Sequence, residues 1–214
     1  MKRLFVIAFL FCLYALSASA QIKYCMTYTD FKEGNWVEVE DSLSVKDNSR
    51  ARKAFGAASD VRIDVEDDSL KKLLKKEVFA IQYGDNLLIN CRKMYYYDNC
   101  LGNDYARAHL YNGKKLLFIG KDPSAKGSVG GFGIVGGVLM SAAAADMQKD
   151  VCFLVKHERR DGKIDVEMID DTFMKKFEKK SPEFYDEYMS VKKKKKRESA
   201  AHVFPLFKDW QLIQ

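Results

Sequence analysis

The sequence predicts an α+β fold: a mainly antiparallel sheet built from hairpins, with a Gly/Ala-rich loop-helix and C-terminal helices packed on it. Three observations carry that expectation. Asn112-Gly113 sits between two apolar runs, Tyr105–Tyr111 and Lys114–Ile119, and Asn and Gly best tolerate the positive φ angles of a type I′ hairpin turn. A second pair of runs, Val151–His157 and Ile164–Ile169, flanks Arg160-Asp161-Gly162-Lys163. Beyond residue 170 the apolar period lengthens, with Phe173, Met174 and Phe177 and then Phe184, Tyr188 and Val191 on helical stripes. Strands first and helices last is the order of an α+β chain.

Met1-Lys2-Arg3 is a short positive region, Leu4–Leu16 an apolar core, and Ser17-Ala18-Ser19-Ala20 a small-residue cleavage site. Residues 1–20 therefore read as a secretory signal peptide, with Gln21 as the mature start. No cysteine follows that site, which argues against a lipid-anchored lipoprotein. Residues 21–214 read as a single α+β domain with a Gly-rich insert at 127–146. The leader holds two of the 36 basic residues and none of the 30 acids, so the mature chain carries +4. Six positives form one run, Lys192–Arg197, and the rest is slightly acidic. A nucleic-acid binder spreads its basic and aromatic residues over a face; one run before a flexible 198–201 link predicts no nucleic-acid partner.

The elements follow in order. Tyr24–Trp36 reads as a short helix or turn around Thr29-Asp30-Phe31, closed by Gly34-Asn35, and Trp36–Lys46 as extended chain. Val61–Val65 alternates as a strand, and Asp68-Ser69 caps a short helix through Lys76 with Leu70, Leu73 and Leu74 on one side. Val78–Tyr83 and Leu87–Cys91 make a hairpin around Gly84-Asp85-Asn86. Counting back from Asn112-Gly113 pairs Leu110 with Lys115, Ala108 with Leu117 and Ala106 with Ile119 as the core face. In the later hairpin Val155 faces Met168, His157 faces Val166 and Lys156 meets Glu167. Asp170-Asp171 caps the first C-terminal helix, Ser181-Pro182-Glu183 starts the second, and Pro205 opens the last.

The order of features resembles an uncharacterised family of secreted Bacteroidota proteins, a domain of unknown function common in gut species. The resemblance lies in Tyr24-Cys25-Met26-Thr27-Tyr28-Thr29-Asp30-Phe31 and in Gln82-Tyr83-Gly84-Asp85-Asn86-Leu87-Leu88-Ile89-Asn90, where such proteins show a "dGk.lyIN"-like strand. It continues in a Gly/Ala-rich segment, the strands within Val151–Ile169, and Met174, Phe177, Pro182 and Tyr188 of a "M..LL...P...Y" helix. It covers about two-thirds of the mature chain and implies no catalytic residues.

Ser128–Ala145 is uncharged. Gly131-Phe132-Gly133-Ile134-Val135-Gly136 fits the dinucleotide pattern in letters, but no strand leads directly into it, so no cofactor is expected. As a membrane span it is short and weakly apolar, although Gly133, Gly137, Ser141 and Ala145 recur every four residues, a seam suited to helix packing in lipid. The favoured expectation is a loop running into a helix, Ile134–Met147, packed on the protein's own sheet.

Catalytic signatures are absent: there is no His-Glu-x-x-His, Gly-x-Ser-x-Gly or phosphate loop. Cys25, Cys91, Cys100 and Cys152 permit two disulfides or four free thiols, and no Cys/His spacing fits a metal. The acids Asp64, Glu66, Asp67 and Asp68 lack a calcium-loop pattern. Trp36, Tyr95, Tyr97, Tyr105 and Tyr111 form a candidate ligand face of aromatic rings with a polar rim. The expectation is an exported, non-enzymatic envelope protein, periplasmic or extracellular and open to outer-membrane association, with an envelope glycan, a peptide or another envelope protein as partner. The alternatives are a membrane-associated envelope component using the Gly133/Gly137/Ser141/Ala145 seam, and a hydrolase dependent on a cysteine or on His109, His157 or His202.

Overall fold

The computed structural model describes residues 22–39, 43–49, 60–123 and 149–214, and the fold is α+β with a mostly antiparallel sheet. The leader and the whole 127–146 insert, with the Gly133/Gly137/Ser141/Ala145 seam, lie outside the described residues. The strands are β1 (Ile22–Cys25), β2 (Val37–Glu38), β3 (Leu43–Asp47), β4 (Val61–Val65), β5 (Ala80–Tyr83) and β6 (Asn86–Asn90). They continue with β7 (Met94–Tyr96), β8 (Asn99–Cys100), β9 (Tyr105–Tyr111), β10 (Lys115–Lys121), β11 (Asp150–Glu158) and β12 (Ile164–Met168). The α-helices are α1 (Tyr28–Glu33), α2 (Asp68–Lys76), α3 (Asp171–Met174), α4 (Pro182–Met189), α5 (Lys194–Arg197) and α6 (Ala200–Asp209).

The sheet runs β2-β1-β5-β6-β9-β10-β11-β12-β7-β8, with β4 bridging β3 to β9. All pairs are antiparallel except β12 with β7. β6 and β7 are separated in sequence only by the 3-10 turn Cys91–Lys93, yet four strands lie between them along the sheet. Four residue steps reach about 14 Å at most, whereas five strand spacings in a flat sheet are about 24 Å. The sheet must therefore curl, bringing β7 back toward β6 as an open six-stranded ring. Its inner face holds one cluster, including Ile89, Ala106, Leu116, Phe118, Phe153, Val155, Ile164 and Val166. Tyr28 and Phe31 of α1 pack on that cluster, and the Tyr28 N–H donates to Glu158 at 3.0 Å. Outside the ring, α2, β3 and β4 cover Ile81, Leu88 and Tyr105, while the C-terminal helices cover Leu117, Cys152 and Leu154.

Several expectations are corrected in detail. Asn112 (φ 49°) and Gly113 (φ 66°) do form the tight turn, but Tyr111 pairs with Lys115, leaving Lys114 as an extra residue. That one residue shifts the register: Leu116 faces Leu110 and Phe118 faces Ala108 inside the ring, while Leu117 and Ile119 turn outward to the helices. In the later hairpin a bulge between Val155 and His157 sets Phe153 against Met168, Val155 against Val166 and His157 against Asp165. Lys156 is the bulged residue and Glu167 meets Lys176 instead, at 3.4 Å. Residues 198–201 are no flexible link: Glu198 and Ala200 are buried and α6 starts at Ala200, with Pro205 inside it. Strand β1 and the C-terminal pairing of Tyr111 with Ile213 had no signal in the sequence pattern.

Candidate functional site

A concavity of about 410 Å³ lies where β7 parts from β12. These strands pair only at Ile164–Met94 and Asp165–Tyr95, after which β7 turns away through Tyr97, whose φ of 53° is left-handed. The bulged Lys156 of β11 and Arg159 just beyond its end line the same place. The walls are Tyr96 and Tyr97, Lys156 and Arg159, Asp165 to Met168, and Asp170, Thr172 and Phe173 at the start of α3.

One arginine holds the site together. Arg159 donates through Nε to Asp165 Oδ1 at 2.8 Å and through Nη2 to the Tyr97 carbonyl at 3.0 Å, and its Nη2 forms an ion pair with the same Oδ1 at 2.5 Å. Its hydrogen bonds hold the Asp165 carboxyl below the usual carboxylate range, so Asp165 is a fixed anion. His157 Nε2 lies 3.1 Å from the other oxygen of Asp165, but its side chain is 62% exposed. Burial, then the neighbouring Tyr97, pushes the Tyr96 phenol up to about 12, which keeps it a neutral donor. Tyr97 meets Tyr96 edge-on at 4.7 Å and is 73% exposed. Two cations and three carboxylates line the groove, and Lys176 beside Glu167 brings the local charge close to balance. The arrangement can stack an apolar surface on Tyr97 and offer donors and acceptors around it; it holds no described group of His, Cys, Asp and Glu fit for a metal.

The five aromatics proposed as a ligand face do not share one. Tyr105 is buried beneath α2 and donates its hydroxyl to Leu74 O at 2.6 Å. Tyr111 is buried under the C-terminal helices, and Trp36 packs edge-on against Phe31 at the end of the ring. Tyr95 lies below Lys163, whose Nζ is 5.3 Å from the ring. Of the five, Tyr97 alone lines the groove. The reason is alternation and curl: rings close in sequence point to opposite faces of a sheet whose two faces lead into different cores. Arg159 and Asp165 gave no signal as a pair in the sequence, because across the hairpin Asp165 faces His157 and Arg159 faces Lys163, so the two meet only diagonally.

The remaining candidates scatter. His109 meets Phe204 edge-on at 4.9 Å, and desolvation lowers its pKa. His202 stacks on Tyr188 and its Nε2 is 3.2 Å from the Tyr188 carbonyl. The four described cysteines are free thiols. Burial pushes Cys25 and Cys152 up to about 12 and raises Cys91 as well, so these three stay protonated and poor as nucleophiles. Cys100 is half-buried and donates toward the Gly102 carbonyl at 3.3 Å.

No curated protein and no solved structure matches the chain. A family model does, over residues 23–214, which takes in both ring and helices and every wall of the groove. The chain thus belongs to a family of unknown function, DUF6563.

Proposed function

We propose that this protein is exported, loses residues 1–20, and acts without catalysis as a binding component of a Bacteroidota-type envelope, using the groove beside Tyr97. Tyr97 is the observation that carries this reading. A non-glycine residue in the left-handed region costs about 1–2 kcal/mol, and an exposed large ring gains little from burial. Arg159 nevertheless donates to the Tyr97 carbonyl, so the strained backbone that presents the ring at the groove is held rather than left to relax. An exposed ring on a held backbone, with a polar rim and nearly balanced charge, suits an envelope glycan or a peptide better than a polyanion. Arrays of neutral glycans and of peptides, probed with residues 21–214 and with Tyr97→Ala, test it. Binding lost by at least tenfold in the variant supports the reading; equal binding by both proteins rejects it. N-terminal sequencing of the protein from the envelope fraction should begin at Gln21.

A membrane role for the Gly133/Gly137/Ser141/Ala145 seam meets a constraint in its flanks. Lys121 pairs with Asp150, so both ends of that interval leave one end of one hairpin. A single span would leave its flanks on opposite sides of a hydrocarbon layer about 30 Å thick. No described helix is long and apolar enough to cross a membrane. The hydrolase alternative has one supporting contact, His157 with Asp165, and turnover of any array ligand that disappears in His157→Ala would establish it.

A further inference from the structure

We propose that the groove takes an extended peptide, which adds as a strand to the free edge of β12; this rests on the groove being the binding site. The Ile169 N–H donates to Cys152 O at 2.9 Å, which makes 152 and 169 a bonded pair of the β11–β12 ladder. In an antiparallel ladder the bonded positions recur every second residue, so Glu167 also turns its main chain toward β11. Val166 and Met168 then turn theirs the other way, toward the strand that would follow. That place belongs to β7, but β7 pairs only with Ile164 and Asp165. Past that point the edge of Val166–Met168 opens into the groove, with Tyr96 and Tyr97 across from it.

Main-chain groups facing a cleft form a template for an incoming strand. Three residues of edge span about 10 Å, matched to a short peptide segment. Tyr97, whose main-chain carbonyl accepts from Arg159, supplies the ring surface for one side chain of that segment. A sugar would use the ring and the carboxylates but would leave the edge N–H of Met168 without a ladder partner, which is why the peptide is favoured.

Amide exchange followed by NMR on residues 21–214 gives the first reading. The Met168 N–H should exchange at least tenfold faster than those of Glu167 and Ile169; equal protection of the three in the free protein overturns the inference. The second uses an immobilised library of blocked heptapeptides, with the best binders remade carrying one N-methyl group at each position. Strand addition requires that methylation weaken binding at least tenfold at alternate amides only, and that bound peptide slow Met168 exchange. Loss at every position, at none, or no heptapeptide bound above background overturns it. Met168→Pro deletes only an outward N–H, which an edge strand tolerates, and should abolish peptide binding while Met168→Leu retains it. If neutral oligosaccharides bind in a Tyr97-dependent way and peptides do not, the site stands and strand addition falls.

Discussion

Arg197 ends a run of six positive residues, yet only its five lysine neighbours face solvent. The Arg197 guanidinium is buried, bonded to Asp171 through Nε (2.8 Å) and Nη2 (2.5 Å) and to the carbonyls of Val191 and Lys192. Asp171 also accepts from the Tyr188 hydroxyl at 2.8 Å. Arg197 is buried and Asp171 half-buried, so Arg197→Met, which removes four charge-assisted hydrogen bonds, should cost about 2 kcal/mol in urea unfolding. Arg197 holds the Asp171 carboxyl below its ordinary value. That contribution is complete above about pH 4 and is lost as pH falls through the folded value. The variant should accordingly show a shallower acid limb. His109 works with the opposite charge type: burial lowers its pKa, so the unfolded chain takes up a proton first. Stability should fall as pH drops below about 6.5, less so in His109→Phe, as followed by thermal unfolding between pH 7.5 and 5.5. Tyr97→Gly separates fold from function: it releases the left-handed strain, so stability should stay within about 1 kcal/mol of the parent while groove binding is lost.

At the scale of elements, the stretches that resemble a known family are explained by local structure. Thr27 and Asp30 form a reciprocal capping box at the start of α1, with Asp30 N–H to Thr27 Oγ1 at 2.9 Å and Thr27 N–H to Asp30 Oδ2 at 3.0 Å. Gly34, at φ 76°, closes that helix where a side chain would be strained. Asn90, fully buried, donates to the carbonyls of Leu74, Lys75 and Val78 and accepts from the Arg92 N–H. It satisfies the carbonyls that end α2 and the turn leading to β7. Asn90→Leu should cost about 2–3 kcal/mol because it leaves buried carbonyls unpaired, measured as a lower urea midpoint. The start and the Gly34 stop of α1 were legible because capping and turn chemistry act within four residues, whereas Asn90 reaches carbonyls 12 to 16 residues away and was not. The register of the Asn112-Gly113 hairpin was not, since a single bulged residue after the turn reverses which side chains face inward.

The whole molecule depends on the curl. It joins β12 to β7, makes the groove, and divides the apolar residues into an inner cluster and two outer ones. Near the base of the Gly-rich interval, Lys149 bonds Glu198 at 3.1 Å and lies 3.7 Å from Asp122, tying the β10–β11 hairpin to the C-terminal helices. Because Lys121 and Asp150 already pair, replacing residues 124–148 with a two-residue turn should preserve cooperative unfolding and the far-UV circular dichroism of the parent. Loss of cooperativity would mean that the interval is integral to the core. Thiol labelling of the native protein gives an independent check on burial: Cys100 should react first, while Cys25, Cys91 and Cys152 wait for unfolding.

By itself the sequence determined the α+β class, the hairpins, most helix starts and the absence of familiar catalytic motifs, because period, turn residues and caps are local properties. It also showed which side chains were aromatic or charged, but not which would meet. The tertiary structure alone decided that Tyr105 and Tyr111 are core, that Arg197 is buried, and that Tyr96, Tyr97, Arg159 and Asp165 share a groove. Those outcomes rest on a parallel contact between strands about seventy residues apart and on bulges that reset faces, and no local pattern encodes either.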